Sequence, residues 1–370
     1  MTYKWFATAA FGLEGLVGSE LKALGCQDVS VEQGGARFSA SVRDVYKALL
    51  WLRCADRVLL ILGEAKVDTF EDLFQLVRSI SFETFLPRDG AYHVSGKCVR
   101  SRLMSVRDCQ SVAKKALIER LREAYHVSIF PENRESYHIG IAIHTDVARV
   151  TLDAAGTALN KRGYRVLNGE AALRETLAAA LVRLSPWQPG LPLYDPCCGT
   201  GTLLIEAAMI AAHRAPGLNR MFAIEAWRHT DPQEFADERK KAGNALDVSR
   251  VSGISGSDID TGALAYCRKH LNEAGFGQSI HIRQSDLAAL HLSGRPGVFL
   301  LNPPYGERMA DREYCRKLCR EIGWLMDRHP GYSLCALSSD PAFERMTGRK
   351  AAKKRRLYNG RLECVFYIYT

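Results

Sequence analysis

Two stretches of this 370-residue chain combine residue types that could bind a ligand and hold a reacting group. The first is "DPCCGTG" at 195–201, which follows an apolar strand-like run and precedes a helical pattern. Gly199 and Gly201 would let the backbone approach a ligand closely, and the free N–H groups that open a helix favour electronegative groups. A strand, a glycine loop and a helix in this order predict a nucleotide-type site, although the same order could form only a tight turn.

The identity of the ligand is narrowed by what the glycine loop lacks. Leu204 stands where a dinucleotide fingerprint has its third glycine, and the chain has no phosphate-loop motif. Asp195 would repel a pyrophosphate but suits a cation such as the ammonium group of S-adenosylmethionine. The residues expected to contact this cofactor from the loop are Asp195, Cys197, Cys198, Gly199, Thr200, Gly201 and Thr202.

Carboxylates also end the next two predicted strands. "SGSDID" places Asp258 where a carboxylate can accept both ribose hydroxyls, and "IRQSDLAAL" places Asp286 to accept a hydrogen bond from an adenine amine. Their neighbours Ile259 and Leu287 are expected beside the cofactor as well. We assign Asp260 to the cap of the following helix, and either of the other two acids could serve as a cap instead.

The second stretch is "FLLNPPYGER" at 299–308, where an apolar strand ends in an amide, two prolines and an aromatic. Pro303 and Pro304 restrict the backbone, so the carbonyl of Pro303 cannot turn away easily. Asn302 adds a side-chain oxygen at the same strand end, where it is also expected to contact the cofactor. The alternative is a rigid turn without chemistry.

The elements that must position these groups fall into two halves. Up to about residue 155 the pattern is α+β: a strand–helix–strand–strand–helix–strand order typical of a ferredoxin-like unit covers 1–55 and its following strand, and a second α+β block covers 56–155. The segment 156–170 is short, polar and basic, which predicts a linker.

The second half, 171–370, alternates helical patterns with short apolar strands. This alternation predicts a doubly wound, Rossmann-like α/β domain with a mostly parallel sheet. Asn359-Gly360 lies between two strand-like runs, which predicts an antiparallel hairpin at the end of that sheet.

Composition limits the classes of protein. No run of about 18 uncharged apolar residues is present, which predicts no membrane span. The N-terminus lacks the pattern of a secretory signal, and eleven cysteines without a C-x-x-C pair favour reduced thiols, a cytoplasmic location and no metal site. The net charge of +9 favours a polyanionic partner, with eight Lys or Arg residues in 97–122 and seven in 349–361, although each cluster could be a solvated face.

The motifs carry a family resemblance. "DPCCGTG", "SDID", "QSD" and "NPPYG" resemble the cofactor and catalytic motifs of class I S-adenosylmethionine-dependent methyltransferases that modify exocyclic amines. The N-P-P-Y signature is specific to amine methylation. One departure is Cys197, which stands where the commonest form of the loop has its first glycine.

The resemblance extends over nearly the whole chain. Residues 1–165 resemble a ferredoxin-like region followed by a THUMP domain, an RNA-binding module. Four further stretches resemble the bacterial 23S ribosomal RNA guanine-N(2)-methyltransferases of the UPF0020 family: "KRGYR", "LRETLAAALV", "RAPGLNRMFAIEAW" and "RRLYNGRLEC".

The resemblance implies methylation of the exocyclic 2-amino group of a guanine in RNA, with 23S ribosomal RNA as the expected substrate. Asn302, Pro303, Pro304 and Tyr305 would be the catalytic residues. The Asn302 oxygen and the Pro303 carbonyl would face the amine hydrogens and stabilise the positive charge that develops on nitrogen, while Tyr305 would stack on the swung-out base.

RNA contacts are expected from the first half and the linker. The expected residues are Lys97, Arg100, Arg102, Lys161, Arg162, Tyr164 and Arg165. Three other functions stay open: a transfer RNA guanine methyltransferase, a DNA adenine methyltransferase, and a non-catalytic RNA-binding assembly protein. A THUMP-like first half disfavours a DNA substrate, because proteins recognise A-form RNA and its loops through different contacts from those made in a DNA groove.

Overall fold

The computed structural model describes residues 1–166, 173–228, 230–304 and 309–370. Within these residues the strands form two seven-stranded sheets, one in each half of the chain. The predicted fold class is confirmed: an α+β first half precedes a mostly parallel sheet that ends in an antiparallel hairpin.

The first sheet joins the ferredoxin-like and second α+β units edge to edge. The helices and strands of the first half are β1 (Tyr3–Thr8), α1 (Glu14–Ala23), β2 (Gln27–Glu32), β3 (Gly35–Ala40), α2 (Val42–Trp51), β4 (Arg57–Lys66), α3 (Phe70–Arg78), β5 (Ala91–Val99), α4 (Val106–Tyr125), β6 (Ser136–His144) and β7 (Val147–Asp153). The strand order is β2-β3-β1-β4-β7-β6-β5. Strand β4 pairs with β1 on one side and β7 on the other, so both units share it.

Local sequence explains these elements. Thr69 caps the N-terminus of α3 through a capping box with Asp72. Ile139, Ile141 and Ile143 alternate along β6, so they bury one face of that strand in the core. Strand β5 is not indicated by the sequence pattern. It is an edge strand with alternately exposed residues, and its small and polar composition gives a weak strand signal.

The second sheet has the order β10-β9-β8-β11-β12-β14-β13. Its elements are α5 (Glu175–Leu184), β8 (Leu193–Asp195), α6 (Thr202–Ala211), α7 (Pro232–Asn244), β9 (Ile254–Asp258), α8 (Thr261–Glu273), β10 (His281–Gln284), β11 (Val298–Leu301), α9 (Met309–Arg328), β12 (Ser333–Ser338), α10 (Phe343–Thr347), β13 (Lys353–Asn359) and β14 (Leu362–Tyr369). Strand β8 lies between β9 and β11, so the order reverses there. The carboxyl ends of β8 and β11 therefore flank the crevice where such sheets bind ligands.

The two halves share one hydrophobic core. The rings of Trp5 and Trp227 are stacked with centroids 6.2 Å apart, and the backbone N–H of Gly217 donates to the Leu50 carbonyl at 2.9 Å. Leu159, in the predicted linker, is buried in the same cluster. Arg162 and Tyr164 are buried as well, so the segment packs into the interface through these three residues, while Lys161 stays exposed. Among the helices of the described residues, we find none with the length and apolar character to cross a membrane.

Candidate cofactor and catalytic site

Asp195 ends β8 as a buried carboxylate at the switch point of the sheet. Its Oδ1 accepts a hydrogen bond from the backbone N–H of Cys197 at 3.1 Å. Burial raises the pKa of Asp195 well above its ordinary value, and the nearby Asp258 carboxylate raises it further. A carboxyl in this state gains from a cationic group placed beside it.

The loop after β8 needs glycine at two positions. Gly199 and Gly201 have φ angles of 51° and 85°, in the left-handed region that side chains disfavour. A Cβ at Gly201 would lie 2.5 Å from the Cys267 Sγ atom, so helix α8 closes on the loop at that point. Cys197, Gly199 and Thr200 are partly exposed, whereas Cys198, Gly201 and Thr202 are buried.

Asp258 connects the glycine loop to the end of β9. Its Oδ2 accepts from the Gly199 N–H at 2.7 Å, and its Oδ1 accepts from the Asp260 N–H at 3.0 Å. Asp260 caps α8 by accepting from the Gly262 N–H at 2.7 Å, as predicted. Ile259, between the two acids, is exposed.

Asp286 follows β10 and lies at the same end of the sheet. Gln284, the last residue of β10, pairs in register with Asp258, and Asp286 comes two residues later. Its Oδ1 accepts from the Ala288 N–H at 2.9 Å, so it caps the short turn that contains the buried Leu287. Asp286 is exposed, which leaves the carboxylate accessible from solvent while it caps this turn.

Asn302 follows β11, across the switch point from Asp195. Asn302 is half-buried, Pro303 is buried and Pro304 is exposed. The Cys315 thiol, on α9, donates to the Pro304 carbonyl at 3.2 Å and so ties the proline turn to that helix. Tyr305 lies outside the described residues.

Tyr314 is a candidate site residue that the sequence reasoning missed. Tyr314 is 48 % exposed, and it precedes Cys315, which donates to the Pro304 carbonyl. Partial burial raises the pKa of Tyr314, and neighbouring Cys197, Asp258 and Asp286 add to the rise. Tyr314 is therefore within electrostatic reach of Asp258 and Asp286, two of the three acids of the site. Nothing in its local sequence, the helical stretch "DREYCRKLC", distinguishes it from a surface tyrosine.

Arg162 and Tyr164 are not placed to contact RNA, which corrects the sequence expectation. The Arg162 side chain is 1 % exposed, and its Nε atom lies 3.4 Å from Glu206 Oε1 on α6. The Tyr164 hydroxyl donates to the same oxygen at 3.1 Å. Burial raises the pKa of Glu206, and Arg162 and Arg53 oppose that rise. These side chains hold the first half against the helix that follows the cofactor loop.

Arg165 is also engaged within the protein. It donates to the Leu173 carbonyl at 2.9 Å and to the Thr202 hydroxyl at 3.0 Å, and it pairs with Glu175 at 3.1 Å. Thr202 is the first residue of α6, so Arg165 stabilises the end of the glycine loop where that helix begins. It is therefore reassigned from RNA contact to structural support.

The other predicted RNA contacts are on the surface. Lys97, Arg100 and Lys161 are exposed, and Arg102 is exposed but paired with Asp68 at 3.2 Å. Within the part of the chain that the structure describes, no cluster of three or more His, Cys, Asp or Glu side chains could hold a metal ion.

The strand order, the glycine loop after β8 and the Asn-Pro-Pro turn after β11 define a class I methyltransferase domain, here joined to an α+β first half. Comparison with known families agrees. The model of UPF0020, described as an RMKL-like methyltransferase domain, matches residues 162–368. An RlmL ferredoxin-like domain matches 4–59, and a THUMP domain matches 67–153. The chain belongs to the UPF0020 family and carries a THUMP domain.

Three relatives match along nearly their whole length. The Bacillus subtilis (strain 168) protein named "Putative RNA methyltransferase YpsC" is 37% identical, with 99% of this chain and 96% of that protein covered. SMU.472, crystallised with S-adenosylhomocysteine (SAH), is 39% identical with a TM-score of 0.93, covering 100% and 98% of the two chains. A Listeria monocytogenes (str. 4b F2365) protein of known structure, named "a predicted N6-adenine-specific DNA methylase", is 40% identical with a TM-score of 0.95, covering 100% and 96%.

Proposed function

We propose that this protein transfers a methyl group from S-adenosylmethionine to the exocyclic 2-amino group of a guanine in RNA, with 23S ribosomal RNA as the substrate. The observation that carries the proposal is the placement of Asn302 and Pro303 after β11, beside the glycine loop after β8. An amine acceptor site and a cofactor site then meet at one switch point.

The cofactor is S-adenosylmethionine. A relative 39% identical over the whole chain was solved with SAH, which remains after the methyl group leaves. The residues of this chain fit the molecule: Asp195 is a buried carboxyl suited to the ammonium group, and Asp258 and Asp286 follow adjacent strands where they suit the ribose and the adenine. The sulfonium centre supplies the methyl group.

The chain's own residues act on the amine. The lone pair of an exocyclic amine is delocalised into the base, so the nitrogen is a weak nucleophile and gains positive charge as the new bond forms. The Asn302 side-chain oxygen and the Pro303 carbonyl accept from the two amine hydrogens and stabilise that charge. Cys315 holds the Pro304 carbonyl, which limits rotation of the turn. A strong general base is not needed, because the methylated amine loses its proton readily.

RNA as the substrate is supported by the THUMP match over 67–153 and by the name of the Bacillus relative. Guanine N2 and 23S ribosomal RNA are supported by the RMKL-like and RlmL matches and by the resemblance of the sequence motifs. The experiment is a comparison of ribosomal RNA from a wild-type strain and from a strain lacking the gene. Nucleoside mass spectrometry should show the loss of one N2-methylguanosine in 23S RNA. A loss confined to transfer RNA would move the proposal to that substrate.

A second candidate function is methylation of the N6 amine of adenine in DNA. The name of the Listeria relative favours it, and the acceptor geometry at Asn302 suits either base amine. Loss of N6-methyladenine from the DNA of the same deletion strain, with ribosomal RNA unchanged, would support this candidate over the first.

A further inference from the structure

A basic groove lies along the free edge of the first sheet. It has a volume of about 690 Å³ and runs between β5 and helix α4. Strand β5 is the last strand in the order of its sheet, so one of its edges has no neighbouring strand. The α4 residues that line the groove follow helical spacing, with Arg107, Gln110, Lys114 and Arg122 on one stripe.

The polar groups of the groove favour an anion. Lys114 donates to the Tyr92 carbonyl of β5, and Gln110 donates to the Val94 carbonyl at 3.5 Å. A strand residue directs its N–H and its C=O to the same side, so the N–H groups of Tyr92 and Val94 also face the groove. The carbonyl acceptors are thus occupied, and the groove presents N–H donors and cations. An added peptide strand would need those carbonyls, which argues against a protein strand as the occupant.

The charge along the groove is mostly positive. Arg107, Lys114, Lys115 and Arg122 line it together with one acid, Glu119. Lys115 pairs with Glu119 at 3.9 Å, and Lys114 pairs with Glu132 at 3.5 Å. Arg107 and Arg122 are both exposed. They are separated by 15 residues of helix, about 22 Å, which is long enough for several successive phosphates.

We propose that this groove binds the phosphate backbone of the substrate RNA. The proposal rests on the proposed function, since it takes RNA as the substrate. It assigns the phosphate contacts to α4 and the edge of β5. The contacts are to phosphates, which position the RNA without reading its sequence.

The test uses the full chain with Arg107, Lys115 and Arg122 replaced together by Gln, which retains the side-chain stems. A matched control replaces three exposed lysines on other helices: Lys22, Lys240 and Lys269. Binding to 23S ribosomal RNA transcribed in vitro is measured across a range of salt concentrations, with methyl transfer followed on the same preparations.

Each phosphate contact adds about 0.7–0.9 to the slope of log affinity against log salt. The groove variant should therefore lose roughly 2 to 3 from that slope and bind RNA more weakly, with unchanged affinity for SAH. The control should change much less. A groove variant that binds like the wild type or like the control, while the wild type methylates RNA, would overturn the groove and leave the proposed function standing. A wild type that methylates no RNA would overturn the proposed function, and the groove proposal with it.

Discussion

Gly199 donates its backbone N–H to the Asp258 carboxylate at 2.7 Å, so the loop after β8 is fixed to the end of the neighbouring strand β9. The proposed cofactor site is thus preorganised by one hydrogen bond between the glycine loop and the end of β9. Binding then requires little rearrangement of the loop, because the hydrogen bond to Asp258 already holds the glycine turn in place.

Asp258→Asn should weaken binding of SAH. A charge-assisted hydrogen bond is worth about 1.5–3 kcal/mol, which corresponds to roughly a 10- to 150-fold loss in affinity. Titration calorimetry measures the affinity of the variant for SAH. Asp260→Asn is the matched control, because Asn also caps a helix. The SAH affinity of this variant should stay near that of the wild type. Equal affinities in the two variants would remove Asp258 from the cofactor site.

Cofactor binding should release a proton from Asp195. Burial raises the pKa of this carboxyl in the free protein, and the ammonium of the ligand favours the ionised form. Affinity should therefore rise with pH through the raised pKa and level off above it. The measurement is calorimetry with SAH in two buffers of different ionisation enthalpy, below the pKa of the ligand's own amine. Asp195→Asn should abolish the release, and a release that persists in this variant would place the titrating group elsewhere.

Asn302→Ala should reduce turnover by about a hundredfold to a thousandfold, the usual effect of removing one acceptor or donor that stabilises a transition state. SAH affinity should fall far less than turnover, because the side-chain oxygen of Asn302 acts mainly on the amine. Single-turnover methyl transfer with the cofactor saturating separates the two effects. A rate near that of the wild type would mean that another group holds the amine.

Arg162→Met should destabilise the protein by about 3–5 kcal/mol, because it leaves Glu206 buried without its ion-pair partner. Lys161→Met, next to it on the surface, should change stability by less than about 0.5 kcal/mol. Urea unfolding followed by tryptophan fluorescence suits this test, since Trp5 and Trp227 stack across the same interface. Should Arg162→Met instead fold normally and bind RNA weakly, the original expectation of an RNA contact would be restored.

Most of the fold could be predicted from local patterns. Asn359-Gly360 indicated the terminal hairpin, and the alternation of helices with apolar strands indicated the parallel sheet, because both signals depend on neighbouring residues. The acids at the strand ends could also be predicted, because each follows a recognisable strand. Parallel strands then bring their carboxyl ends to one edge of the sheet.

The roles of Arg162 and Tyr164 could not be predicted in this way. "KRGYR" is polar, which is typical of a solvated segment. The ion-pair partner of Arg162, Glu206, lies 44 residues away on helix α6 of the second half. Burial of a charge depends on a tertiary partner that no local pattern reveals. Tyr314 was missed for a related reason, because only the packing of α9 against the proline turn brings it to the site.

The most direct test of the account uses purified protein, S-adenosylmethionine with a deuterated methyl group and 23S ribosomal RNA transcribed in vitro. Nucleoside mass spectrometry should find the labelled methyl group on N2 of guanosine with the wild type, and at most about one hundredth of that rate with Asn302→Ala. Label on adenosine, or label on guanosine at the same rate in both proteins, would contradict the assignment of the amine to Asn302 and Pro303.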